Sequence, residues 1–268
     1  MKRFFSFLLV SLVLLVLLVP QSKATSERAY QDYLYQFDLY RQKFSDFTIT
    51  KNEYEKFNSL SSQTTALTNT SAMLAQRDQL LRAYLLLLNE KLNEDRGLID
   101  TQKVTYRALT GNEISFLDQH STLVQSIGSL DDAGDVSRSL ESHYAILGAS
   151  MRQVIIGVSL GQLALLARQY DTALADAKAL LTTNRGAFGP QKQATVDRWI
   201  LQISNTRSLY QQKIDSINTK NAQLKGSSIE TLDDLFGELK RDLGQAKQYL
   251  MEGNRFIGEL IEALRYQN

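Results

Sequence analysis

The stretch SSIETLDDLFGELKRDLGQAKQYLMEGNRFIGELIEAL, residues 227–264, decides the fold class. Within it Leu232, Phe236, Leu239, Leu243, Ala246, Leu250, Gly253, Ile257, Leu260 and Leu264 recur at alternating spacings of four and three, without a slip. That period draws one apolar stripe along a helix, and the stripe needs a second helix to cover it. Ala246 and Gly253 lie on the stripe and let the covering helix come close. Ser227 and Glu230 are spaced to cap the helix start, and Gly226 stops whatever precedes it.

Upstream the same signature returns. Ile200, Ile203, Arg207, Tyr210, Ile214, Ile217, Asn221 and Leu224 carry the seam of a helix that opens at Pro190, after a breaker over 184–189. Residues 145–167 are the most apolar interior segment, broken by Arg152 and Gln153, which reads as a core helix and not a membrane span. Its Gly157 and Gly161 form a motif for close backbone approach. Ser129 and Asp132 predict the start of a helix running from Leu130 towards His143. Thr110 and Glu113 predict another start, opening a helix that ends near Gly128. Between 95 and 111 the reading is a loop region holding a short helix over 102–109.

Nearer the N-terminus, Phe57, Leu60, Thr64, Leu67, Ser71, Leu74, Asp78, Leu81, Leu85, Leu88 and Leu92 keep a heptad over five repeats. This predicts a helix from a Thr50–Glu53 capping box to Glu94, about 65 Å long at ~1.5 Å per residue. The polar run 59–71 is where it would bend or break. A first helix over 26–47 carries an aromatic seam of Tyr30, Tyr33, Phe37, Tyr40, Phe44 and Phe47. No strand alternation or hairpin signal occurs. The expected fold is therefore all-α, an elongated antiparallel helical bundle with long coiled-coil-like helices. It forms one domain over 25–268, with candidate hinges at 95–101 and 184–189.

Met1-Lys2-Arg3 followed by the 16 apolar residues from Phe4 to Val19, Pro20 and Ser22-Lys23-Ala24 reads as a secretory signal cleaved after Ala24. An uncleaved N-terminal anchor is the alternative, and the only membrane contact the sequence suggests. Removing residues 1–24 takes away Lys2, Arg3 and Lys23, so the 30 basic residues become 27 beside 29 acidic, a net charge of −2. A balanced charge without a basic face argues against nucleic-acid partners. With no cysteine, an exported chain must hold together by packing alone, and thiol chemistry is excluded.

Motifs for chemistry are scarce. His120 and His143 have no ligand partner at i+3 or i+4 and are expected at the surface. Asn93, Asp95 and Gly97 resemble part of a calcium loop, but Val104 stands where a bidentate Glu is needed. Asp131, Asp132 and Asp135 suit a helix start. Thr64, Asp78, Arg207 and Asn221 are polar residues at seam positions that set register or mark a poorly buried stretch. No nucleophile elbow, phosphate loop or zinc motif is present. The expectation is no catalytic site, no metal and no cofactor.

The stretches YQDYLYQFDLYR (30–41) and LLRAYLLLLNE (80–90) resemble uncharacterised exported helical proteins of small-genome bacteria. That resemblance implies an extracytoplasmic cell-envelope protein and brings no activity with it. The expected function is a non-enzymatic structural or interaction bundle. Its interaction seam comprises Tyr30, Tyr33, Phe37, Tyr40, Leu81, Leu85, Leu88 and Leu92, and its partner is another protein or a second copy. The alternative is a sensor-type small-molecule bundle, with a pocket formed by the tyrosines at 30–40 and Arg207.

Overall fold

Among the described residues six helices follow one another: α1 (Ser22–Phe57), α2 (Leu60–Glu94), α3 (Asp100–Gln125), α4 (Leu130–Asn184), α5 (Pro190–Gln223) and α6 (Ile229–Arg265). The computed structural model describes residues 22–184, 186 and 188–265, and no strand occurs among them. The apolar run Phe4–Val19 lies outside the described residues, as does the side chain of Leu264. The fold is an all-α helical bundle.

Successive helices reverse direction. Gln36 of α1 meets Gln76 of α2, Asn89 of α2 meets Thr110 of α3, and Val136 at the start of α4 meets His120 late in α3. Tyr170 of α4 bonds the Ile203 carbonyl of α5, and Lys213 of α5 pairs with Asp242 of α6. α4 is the shared spine, 55 residues and about 80 Å long. Its first half packs with α2 and α3, and its second half with α5 and α6.

The seam of α6 is buried as its period requires, with Leu232, Leu239, Ala246, Leu250, Ile257 and Leu260 all in the core. Ile203, Tyr210, Ile217 and Leu224 of α5 and Ile156, Leu163 and Tyr170 of α4 complete that half. Gly253 makes the close approach its position suggests, since a Cβ there would collide with the Tyr170 ring and Thr206. Gly157 and Gly161 act likewise, the first making room for the Tyr106 ring and the second for the Asp95 carboxylate. Pro190 occupies the first turn of α5 as expected, and Gly226 turns the chain with φ +89°.

Several boundaries differ from the sequence expectation. α1 continues to Phe57 because nothing between Phe47 and Thr50 breaks a helix; the Thr50 hydroxyl donates back to the Asp46 carbonyl at 2.9 Å instead of capping. The turn comes at Asn58, which takes the left-handed conformation at φ 46°. Ser59 then caps α2, accepting from the Ser62 amide at 3.1 Å. This break lies at the edge of the predicted weak stretch. α3 is a single helix from Asp100 through Gly111, so the loop expected over 95–111 shrinks to five residues. Glu113 does not cap; it turns inward. α4 does not stop near His143, since no breaker lies between Leu130 and Asn184. The Ser129 cap is real, with the Asp132 amide donating to its hydroxyl at 3.1 Å. A hydrogen bond from the Ser129 side chain to the Asp132 carboxylate, joined by one from the Gly128 amide, holds that carboxyl below its usual range. At α6 the cap moves one residue, from Ser227 to Ser228.

An 18-residue window within α4 is apolar enough by length and composition to cross a membrane, and half of it is buried inside the fold.

Candidate functional site

The stripe Glu113, Leu117, His120, Val124 faces inward from α3, and it brings two histidine–carboxylate pairs between α2, α3 and α4. His120, expected at the surface, is 1% exposed and is the deepest ionisable ring in the protein's first half. Its Nδ1 lies 2.7 Å from Asp78 Oδ2, and its Nε2 lies 2.9 Å from the Val136 carbonyl oxygen. A carbonyl only accepts, so Nε2 carries a proton. Nδ1 and Oδ2 must then share a second proton, because a bare nitrogen facing a carboxylate would set two lone pairs against each other. Asp78 is 2% exposed, and burial raises its carboxyl above the ordinary range, opposed by the His120 bond. Its Oδ1 has no partner within the fold among the described residues.

His143 is also drawn in, and only a fifth of its side chain is exposed. Its Nε2 lies 2.7 Å from Glu113 Oε2, while Glu113 Oε1 accepts from the Ser150 hydroxyl at 2.9 Å. The Phe116 ring stacks on His143 at 3.6 Å between centroids and on His120 at 5.9 Å. Beside this group Arg77 is lowered by burial, against the pull of Asp78, Tyr40 and Glu141. The histidines were misread because their partners stand 42 and 30 residues away, a distance no local pattern reports.

Ser150 is not a poised nucleophile, since its hydroxyl donates to the Glu113 carboxylate. Among the described residues no group of three or more His, Asp or Glu is placed to hold a metal ion. Asp95 of the calcium-like loop instead accepts from the Gly97 and Leu98 amides at 2.8 and 2.7 Å, and Asn93 accepts from Arg107 at 2.5 Å.

The expected interaction seam splits in two. Leu85, Leu88 and Leu92 are buried and Leu81 packs with them, so these leucines are occupied by the fold's own helices. On α1, Tyr33 packs on Tyr84 at 5.3 Å, and Tyr40 and Phe47 pack on the Met73–Leu74 cluster. The other half of the same heptad faces solvent: Tyr30, Phe37 and Phe44 are 43%, 40% and 48% exposed. Arg207 is bound to Asp171 at 2.8 Å on the α4–α5 side, whereas the tyrosines belong to the α1–α2 pair. The pocket that would join them is not formed. Asn221 lies where Gln153 donates to its carbonyl oxygen at 2.8 Å, and Thr64 bonds only its own helix at the Leu60 carbonyl.

Compared with models of known protein families, with characterised proteins and with solved structures, the chain finds no significant match.

Proposed function

We propose that this chain is a non-enzymatic interaction protein working outside the cytoplasmic membrane, and that the outer face of α1 docks a helix of a protein partner. What carries the reading is the stripe Tyr30, Phe37, Phe44. Three rings recur every seven residues on one helix face and stay 40–48% exposed, in a helix whose Tyr33, Tyr40 and Phe47 already pack inward. Large rings repeated at heptad spacing are the material of a helix–helix interface, and leaving them in water is unfavourable. The basic–apolar–small pattern of residues 1–24 supports export.

The test is a photoreactive phenylalanine analogue at position 37 in living cells. One discrete adduct heavier than the monomer is expected, with none from the same analogue at Leu201, an exposed site on α5. Equal, diffuse labelling at both positions would dismiss the docking face. Intact cells treated with external protease should lose the chain if export is right, and should keep it if export is wrong.

The stripe also makes a stability prediction. Changing Tyr30, Phe37 and Phe44 together to serine should leave the melting temperature of the purified protein within a few degrees, because exposed positions contribute little to the core. The same treatment of Leu85, Leu88 and Leu92 should prevent folding, because each buried truncation costs about 2–5 kcal/mol. Circular dichroism melts of both triple variants distinguish the two faces.

A further inference from the structure

We propose that the His120–Asp78 pair holds an extra proton that clasps α3 between α2 and α4, with His143–Glu113 as a second contact, and that loss of that proton above neutral pH loosens α3 while the α5–α6 half stays folded. The argument starts from hydrogen-bond direction. His120 faces two acceptors, and its ring and Asp78 together must keep a shared proton as long as the contact lasts. Glu113 already accepts from Ser150 at one oxygen, so it presents the other as an acceptor and His143 donates from Nε2, which takes no proton beyond the one a neutral imidazole carries.

Charge balance points the same way. Asp78 and Arg77 approach from α2 and Glu113 from α3, while the exposed Glu141 of α4 and Tyr40 of α1 act on the group through Arg77. Two buried carboxylates face one guanidinium and two imidazoles. The group is neutral when one imidazole carries an additional proton, and it holds one uncompensated negative charge when neither does. Within the low-dielectric space between three helices that imbalance is unfavourable.

The sign follows from proton counting. In the unfolded chain an ordinary Asp and an ordinary His together hold no extra proton above the usual histidine range near ~6.5, whereas the folded Asp78–His120 pair keeps one. The raised Asp78 carboxyl agrees, since folding favours its protonated form. Stability is therefore present below that range and lost as pH rises through it.

The other half of the molecule supplies the control. Its pairs Arg207–Asp171, Lys213–Asp242 and Lys220–Glu238 contain no histidine, and such groups keep their charges between about pH 5 and 9. Amide hydrogen exchange of the full chain at pH 6.0 and 8.5, corrected for intrinsic exchange rates, reads both halves in one experiment. Protection of α3 amides should fall roughly ten- to a hundredfold at the higher pH, and that of α6 amides by less than about threefold. In the variant H120Q/H143Q the α3 difference should vanish. Should that variant not fold, the wild-type protein decides alone: its downfield imidazole proton resonances must disappear over the same pH range in which α3 loses protection. The clasp is overturned if α3 and α6 change together, if neither changes, if the pH effect survives in H120Q/H143Q, or if the imidazole protons and α3 protection titrate apart.

Discussion

Replacing Gly97 by alanine is expected to lower the melting temperature by about 6–12 °C, although it adds a single methyl group in the middle of a short loop. A Cβ at Gly97 would fall inside the Gly161 carbonyl group, which is main chain of α4 and cannot rotate away. The surrounding turn is bound on every side. Asp95 Oδ1 accepts from the Gly97 and Leu98 amides, and Arg168 donates to the carbonyls of Gly97 and Arg96 at 3.2 and 2.5 Å. Relief requires moving the α2–α3 connection off α4, which breaks several of these bonds together. Overpacking of this kind costs about 3 kcal/mol or somewhat more, and ~1 kcal/mol shifts the melting point of a chain this size by about 2–4 °C. Gly111→Ala is the matched comparison. It makes the same chemical change in the interior of α3, where an added Cβ meets nothing within 4 Å. There the gain in helix propensity should raise the melting point, since Gly is ~0.8–1.0 kcal/mol less favourable than Ala in a helix. Thermal melts of the two variants showing equal shifts would mean that the contact between Gly97 and α4 is not as close as described.

The same contrast between local and distant constraint separates what the sequence discloses from what it hides. The α6 stripe is legible from residue spacing because Leu232, Leu239, Ala246, Ile257 and Leu260 are buried by the neighbours any hairpin partner would supply. The division of α1 from α2 is not legible at Thr50. A T-x-x-E pattern caps a helix only when the chain leaves helical geometry there, and the threonine hydroxyl can equally bond the carbonyl four residues back. The buried pairs left a trace that local reading passes over. Asp78 interrupts the leucine heptad between Leu74 and Leu81, and Glu113, Leu117, His120 and Val124 form a stripe at spacings of four and three. Charged residues on two inward stripes need each other once buried. Which acid meets which histidine depends on the register of α3 against α2 and α4, and that register is a tertiary property.

Asp78→Ala should unfold the first half of the bundle at temperatures roughly 10 °C below the wild type. The substitution leaves His120 with its Nε2 proton on the Val136 carbonyl and its Nδ1 facing an empty, apolar space between helices. Removing one member of a buried pair costs about 3–5 kcal/mol. His120→Phe alone strands the Asp78 carboxylate at 2% exposure and should cost a similar amount. The two losses should not add. In Asp78→Leu/His120→Phe neither member of the pair leaves a charge or a bare donor of its own, and the new side chains lie beside the cluster of Leu85, Leu117 and Leu140. Replacing a whole buried pair by apolar groups is often close to neutral, so the double variant should recover most of the stability lost in either single one. It should also lose the stability difference between pH 6 and 8.5 contributed by this pair. Urea titrations of the four proteins give the coupling energy directly. Additive losses would mean that Asp78 and His120 do not depend on one another, and the reading of their 2.7 Å contact as a shared-proton pair would fall with them.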